Sequence, residues 1–453
     1  GDINVSAQKV DILEAQAKAQ NTTESKFTQS GLTLALTSPV LNAIQTAQQQ
    51  AQADKDTKDG RLKLLAAANT ALAGRNAVQA IKAGQGDANG KVTSTNLDGT
   101  TETREANAAD QAGGVNLSIS IGGSQSKSKT MQNSSTSQGS SVSAGRDVNI
   151  SASAPSPLAG EGRGEGDITI QGSTLNAGRD IKLQADNDIK LQAAQSTADQ
   201  KSTNSSISAS VGLSIGTSGF GVTVSASGAR GKADGNDVTQ SNTQVVAGNQ
   251  VNLESGRDTT LKGAVASAEQ VTAKVGRNLT IESLQDTSKF ASKQQSIGAS
   301  VTIGAGAGGN FSASKSTVKS DFASVAQQSG IRAGDGGFDV QVQSNTDLKG
   351  GAITSTQAAI DQNLNRFETG SLTTSDIQNQ ASYSAKAIGV SAGTSANNLG
   401  GALKPSGTSI GFGKDAGNAS STTQAAISGI AGNKDARTGD KETGIQKIFD
   451  ADK

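Results

Sequence analysis

Histidine and cysteine are both absent from this 453-residue sequence. That removes imidazole acid–base chemistry, thiol nucleophiles, disulfides and Cys/His metal sites together. What remains for chemistry is carboxylates, hydroxyls and glycine-rich loops. Gly304-Ala305-Gly306-Ala307-Gly308-Gly309 satisfies the Gly-x-Gly-x-x-Gly pattern after a strand. The residues behind it, Asn310-Phe311-Ser312-Ala313-Ser314, alternate as a second strand. No helix N-terminus follows to present amides and a dipole to a pyrophosphate. Gly334-Asp335-Gly336-Gly337-Phe338-Asp339 matches one turn of a calcium-binding nonapeptide roll. Such a site needs several successive copies to share the ion, and here there is one. Asp234-Gly235-Asn236-Asp237 reads as turn residues. Asp186 and Asp188 are the nearest thing to paired carboxylates, but turn signals flank them and the motif repeats. They are expected to cap successive coils rather than move protons. No catalytic, metal or cofactor site follows, and an enzyme is not expected.

The elements around those residues explain why. Residues 177–194 hold two units in tandem, Ala-Gly-Arg-Asp-Ile-Lys-Leu-Gln-Ala and Asp-Asn-Asp-Ile-Lys-Leu-Gln-Ala. Each is a turn followed by a short strand in which Ile181 and Leu183 alternate with Lys182 and Gln184. Alternation puts the apolar side chains on one face. The turn glycine is expected to supply a positive φ, and the Asp to bond its own backbone. Related copies carry turn residues at Gly145 and Asp147, Gly178 and Asp180, Gly256 and Asp258, and Gly276 and Asn278. Gly256 to Gly276 is 20 residues, one coil of a parallel β-solenoid. One unit cannot bury its apolar face alone, whereas stacked coils share a column of small aliphatics. Aromatics at 2% and the absence of Trp suit such a core and not a globular one. The Arg-Asp dipeptides at 146–147, 179–180 and 257–258 are placed to ladder along one solenoid edge and set register.

A longer period, roughly 85–95 residues, overlies the first. Gly/Ser-rich alternating stretches occur at 31–37, 115–122, 207–216, 297–304 and 388–392, each followed by a polar tract. They read as β-hairpin inserts; Thr217-Ser218-Gly219 is the turn of one, before Phe220, Val222 and Val224 alternate on the return strand. Val115, Leu117 and Ile119 form one apolar set; Ile207, Val211, Leu213 and Ile215, with Val222 and Val224, form a second; Ile297, Val301 and Ile303 form a third. Apolar residues alternating with Ser or Gly over about nine to eleven positions have the period of a membrane-spanning β-strand, which makes these residues candidates to face lipid. The same pattern also suits a second sheet packed on the solenoid, and the single Tyr leaves no aromatic girdle. Both readings stay open on the residues alone.

Ser38-Pro39 with the Ala/Gln-rich run behind it, and Leu62, Leu65, Leu72 and Ile81 before Gly84, predict a small helical hairpin over 39–84. Pro155 and Pro157 mark a loop insertion over 154–166. The expected organisation is a partial first module at 1–38, the helical insertion at 39–84, and repeat modules at 85–206, 207–296 and 297–387. A degenerate module and Gly/Ser-rich linker at 388–453 would lead toward a further domain, with disorder expected over much of 393–440. Gly1-Asp2-Ile3-Asn4-Val5 begins in mid-repeat, so the chain reads as a piece of a longer protein. Lys+Arg and Asp+Glu are 40 each, so net charge gives no pointer to nucleic acid. The fold expected is all-β: an elongated right-handed parallel β-solenoid with Gly/Ser-rich hairpin inserts and a small helical insertion.

The repeated Gly-Arg-Asp-(Val/Ile)-x-(Ile/Leu) units, their 20-residue spacing and the Ser/Gly inserts resemble the haemagglutinin-type repeats of filamentous haemagglutinins and of contact-dependent growth inhibition exoproteins. The insert-bearing modules look like the later of the two repeat regions in the growth inhibition proteins. That resemblance implies secretion to the bacterial surface through a dedicated outer-membrane partner that acts on an N-terminal domain not included here. It also implies a C-terminal toxin and a role in carrying that toxin across a target cell's outer membrane. The alternative is a passive adhesin stalk that projects a binding domain.

Overall fold

The computed structural model describes residues 1–37, 90–95, 100–107, 116–153, 166–216, 219–304, 307–396 and 404–439. Short strands of the 148–152 type, Val-Asn-Ile-Ser-Ala, bury every second residue and stack in parallel on their copies in neighbouring coils. Three such ladders make a three-sided solenoid. On the first side Ile3, Val148, Ile181, Val251, Val271 and Phe338 stack in register. On the second, Val10, Ile168, Ile189, Thr259 and Leu279 do so. On the third, Val142, Leu175, Val245, Ala266, Ile331, Ile353 and Ile427 run in line. The columns form one continuous core in which Ile168, Leu183, Val251 and Leu279 have no exposed surface. Phe338 is the aromatic side chain fully buried there.

The turn glycines act differently from expectation. Gly178 and Gly276 are not among the residues with positive φ. A Cβ on Gly178 would lie 2.3 Å from the carbonyl oxygen of Gly145, and one on Gly276 would lie 2.2 Å from that of Gly256. Glycine is required here because coils a strand-spacing apart bring backbone onto backbone. The aspartates also differ: Asp147 Oδ1 accepts the N–H of Asp180 on the next coil at 3.3 Å, and Asp188 Oδ1 accepts that of Asp258 at 3.1 Å. They bond coil to coil and not within their own turn.

Among the described residues, four long antiparallel hairpins leave the solenoid, all at the corner between the second and third sides. The first pairs Ala15–Thr37 with Asn116–Gln138, the second Ala194–Gly216 with Gly219–Ser241. The third pairs Gln285–Gly304 with Ala307–Val325, and the fourth Ile377–Ala396 with Lys404–Thr423. They alternate with bare coils, in which Gly172, Gly263 and Gly350 turn the same corner with positive φ. The alternation has a metric reason. Two coils advance the solenoid by about 9.6 Å, and one hairpin adds two strands at about 4.8 Å each. The hairpins therefore pair with one another without strain and form one continuous sheet.

Each strand of the second hairpin is 23 residues, so the alternating stretch at 207–216 is only the outer part of the first of them. Asp234-Gly235-Asn236-Asp237 lies inside a strand and not in a turn, because pairing on both sides overrides the local turn preference. Lys404–Thr423, within the region expected to be disordered, is a strand held by its pairing to Ile377–Ala396. The helical hairpin expected at 39–84 lies outside the described residues, as does most of the 154–166 loop. A five-residue helix, Gln357–Asp361, is capped by Thr356. No described helix is long and apolar enough to cross a membrane, which leaves strands untouched by that criterion.

Candidate functional site

Directly paired residues of an antiparallel sheet project to the same face, so register sorts the hairpin sheet into rows. Leu32, Ile121, Val211, Val224 and Val301 make one row across five strands. Leu34, Ile119, Leu213, Val222 and Ile303 make the next row toward the tips, and Leu117 opposes Ile215 beyond it. On the solenoid side, Ile207 and Ile297 flank Gly228 in a row that continues to Val390 and Ile410. Three separate sequence stretches thus converge on one face of one sheet; Val115 lies outside the described residues. Ile207 is 66% exposed, Val211 50% and Val301 53%. Val222 is half-buried.

Between the Ile207 and Val211 rows runs a row of small residues, Gly123, Ala209, Ala226 and Ala299, closed by Phe311. It forms a transverse apolar groove of about 680 Å³. The opposite face carries hydroxyls that pair across strands: Ser208 with Ser227 at 2.7 Å, Ser210 with Ser225 at 2.6 Å, Thr223 with Thr302 at 2.8 Å and Ser391 with Ser409 at 2.7 Å. The residues there must be small, since a Cβ on Gly212 would meet Ser120 Cβ at 2.7 Å. The sheet is apolar on one face and a seam of satisfied hydroxyls on the other.

Polar side chains fix the hairpin roots. Buried Asn379 accepts from the Val325 N–H at 3.0 Å and donates to Thr423 at 2.8 Å, tying the third hairpin to the fourth. Thr243 donates to the Gln192 carbonyl at 2.6 Å across the root of the second. Burial pushes the Asp286 carboxyl up, although it accepts the Gln240 N–H at 2.6 Å. Sequence reasoning missed these three, because each stands in a polar tract with no local pattern. On the second side of the solenoid, Glu282 sits 3.0 Å from both Lys262 and Lys349. Burial would raise its carboxyl, but the two lysines hold it below its ordinary value.

The carboxylates weighed for chemistry are otherwise engaged. Asp335 takes the Thr356 hydroxyl at 2.7 Å, Asp339 is bonded by Gln341, and Asp188 serves the next coil. Among the described residues no group of three or more His, Cys, Asp or Glu is placed to hold a metal ion. Of the 304–309 stretch, Gly304 ends one strand of the third hairpin and Ala307 begins the antiparallel strand it pairs with.

Residues 121–297 match the hemagglutinin repeat family. The chain is 37% identical over 426 residues to a protein named Toxin CdiA from Escherichia coli, an alignment covering 90% of this chain and 13% of that protein. It is 38% identical over 419 residues to the tRNA nuclease CdiA of Escherichia coli strain NC101, covering 90% and 12% respectively. Against the deoxyribonuclease CdiA of Yersinia pseudotuberculosis it is 36% identical over 425 residues, covering 92% and 36%. The chain therefore spans a minor part of each of these relatives. No solved structure matches it.

Proposed function

From a chain that belongs to the haemagglutinin-repeat segments of contact-dependent growth inhibition exoproteins, we infer a non-enzymatic role in toxin delivery across the outer membrane of a neighbouring cell. In this reading the solenoid is the secreted scaffold and the hairpin sheet is the part that meets the target membrane. One observation carries it: an exposed apolar face, shared by successive hairpins and backed by a face of paired hydroxyls. From Ile207 to Ile215 the apolar positions extend about 26 Å along the strand, against about 25 Å for the apolar band of outer-membrane strands. Leu117, Ile119, Ile207, Val211, Leu213, Val222, Val224, Ile297, Val301 and Ile303 are the proposed lipid-facing residues. The toxin of the full-length protein, and its outer-membrane secretion partner, belong to the same proposal and rest on the likeness to the CdiA proteins.

The test is protease digestion of the purified chain with and without lipid vesicles. The membrane reading expects 207–226 and 297–313 to become protected on vesicles. Cleavage of both segments at the same rate in either condition would defeat it, and the region would then be a stalk.

A further inference from the structure

Immediately solenoid-ward of the apolar rows, on the same face, the sheet turns cationic. The first row there holds Lys26, Lys127, Arg230 and Lys315, in register through Ser205 and Gln295. The next holds Lys129, Lys232, Lys293, Lys386 and Lys414, in register through Thr203 and Thr317. All nine cations are exposed. Glu24 is the acid in these two rows, 3.4 Å from Lys127. The row between them on the opposite face, running Ser128, Asn204, Gly231, Gln294, Ser316 and Ala387, carries no charge. The tight packing of the opposite face keeps long side chains on this one, and in a chain whose net charge is zero the belt gathers nine cations against Glu24 within it and Asp234 beside it, 3.0 Å from Lys232.

We propose that the belt is a headgroup-binding collar: the sheet docks on an anionic lipid bilayer with the apolar rows among acyl chains and the two cationic rows on lipid phosphates. The inference deepens the membrane reading and rests on it. Charge complementarity and position select the occupant. A band of apolar side chains about one hydrocarbon layer deep, edged on one side by basic residues, matches the boundary between acyl chains and phosphate in a bilayer. At that boundary Ile207 and Ile297 stand two residues from Ser205 and Gln295, the row of Arg230. A groove of about 470 Å³ lined by Lys26, Lys127, Ser205 and Ile207 opens there and presents ammonium groups beside an apolar floor. A nucleic acid would satisfy the charge but leave the adjoining apolar rows in water.

The experiment is co-flotation of the 453-residue chain with vesicles of phosphatidylcholine alone and of phosphatidylcholine mixed with phosphatidylglycerol. A triple variant, Lys232→Glu, Lys293→Glu and Lys386→Glu, is run beside it with a melting curve for each protein. Each lysine lost from such a surface weakens partitioning about fivefold, so the triple variant is expected to lose more than about a hundredfold on anionic vesicles while melting normally. Wild-type binding is expected to be strong on anionic vesicles, weak on neutral ones and to fall with added salt. Equal binding to both vesicle types, or an unaffected triple variant, overturns the collar and leaves the apolar membrane reading standing. Binding to neither overturns both. Release by an equal concentration of inorganic phosphate, or retention of a DNA duplex in place of vesicles, overturns the assignment to a lipid surface.

Discussion

Arg179 clamps Asp147 of the preceding coil, with Nε 2.8 Å from Oδ1 and Nη2 on Oδ2. Arg146 holds Asp2 and Arg277 holds Asp258 in the same two-pronged way. Arg146-Asp147 is thus not simply an internal pair: Arg146 reaches back one coil and Asp147 is held by the next, while Arg179 also lies 3.4 Å from its own neighbour Asp180. Planar Arg matches a carboxylate in register only, so the clamp penalises a coil that slips by one residue.

The clamps give acid stability a predictable sign. The hydrogen bond from Arg179 holds the Asp147 carboxyl below its ordinary 3.8, and Arg277 does the same for Asp258. A depressed folded-state value gives stability that is present above the ordinary value and lost as pH falls through the folded one. The melting temperature is expected to drop as pH falls below 3.8, and the Asp147→Asn, Asp258→Asn double variant to show a shallower drop. Parallel acid limbs in circular-dichroism melts would refute the clamp as the cause.

Gly178→Ala tests the close approach of coils. Its new Cβ would stand 2.3 Å from a backbone oxygen that cannot rotate away. A loss of about 1–3 kcal/mol is expected from such overpacking. Gly31→Ala in the hairpin sheet meets nothing within 4 Å and should stay within about 0.5 kcal/mol of wild type. Urea titration of the two variants separates steric need from backbone freedom. Similar losses at both sites would point back to flexibility.

The solenoid was legible because its evidence is local: Ile181 and Leu183 alternate within one strand, and Gly178 and Asp180 mark its start. Their roles were not, since both act on atoms of another coil. The outer half of each hairpin was readable from the run Ile207 to Ile215, whereas the inner half, such as Lys201 to Ser206, shows no alternation and looks like linker. The cationic belt could not be seen at all. A strand contributes at most two of its cations, Ala194–Gly216 contributes none, and only register between residues such as Lys232 and Lys293, far apart in sequence, aligns them. Lys404–Thr423 looked structureless for a related reason, as pairing partners and not its own composition make it a strand.

Asp286 offers the opposite acid response. Burial raises its carboxyl at the root of the third hairpin. A raised folded-state value means a contribution fully present below the ordinary 3.8 and lost as pH rises through the folded value. Asp286→Asn keeps an oxygen for the Gln240 N–H and removes the charge. Near neutral pH the variant is expected to melt at or above the wild-type temperature, with the difference vanishing in acid. A variant less stable than wild type at neutral pH would show that the ionised carboxylate is wanted there.

The apolar face separates the delivery and stalk readings most sharply when set against the core. Leu183 has no exposed surface and stacks between Ile150 and Leu253, so Leu183→Ala should cost about 2–5 kcal/mol. Val211, Leu213 and Val301 are each half-exposed or more, so Val211→Asp, Leu213→Asp and Val301→Asp together should leave melting nearly unchanged. Placed in the full-length exoprotein, the triple variant is expected to be secreted and displayed normally and yet to lose inhibition of target cells in co-culture. Leu183→Ala is expected to reduce display and inhibition in parallel. A stalk has no use for an apolar surface in water, so full inhibition by a displayed triple variant would remove the hairpin sheet from the delivery step.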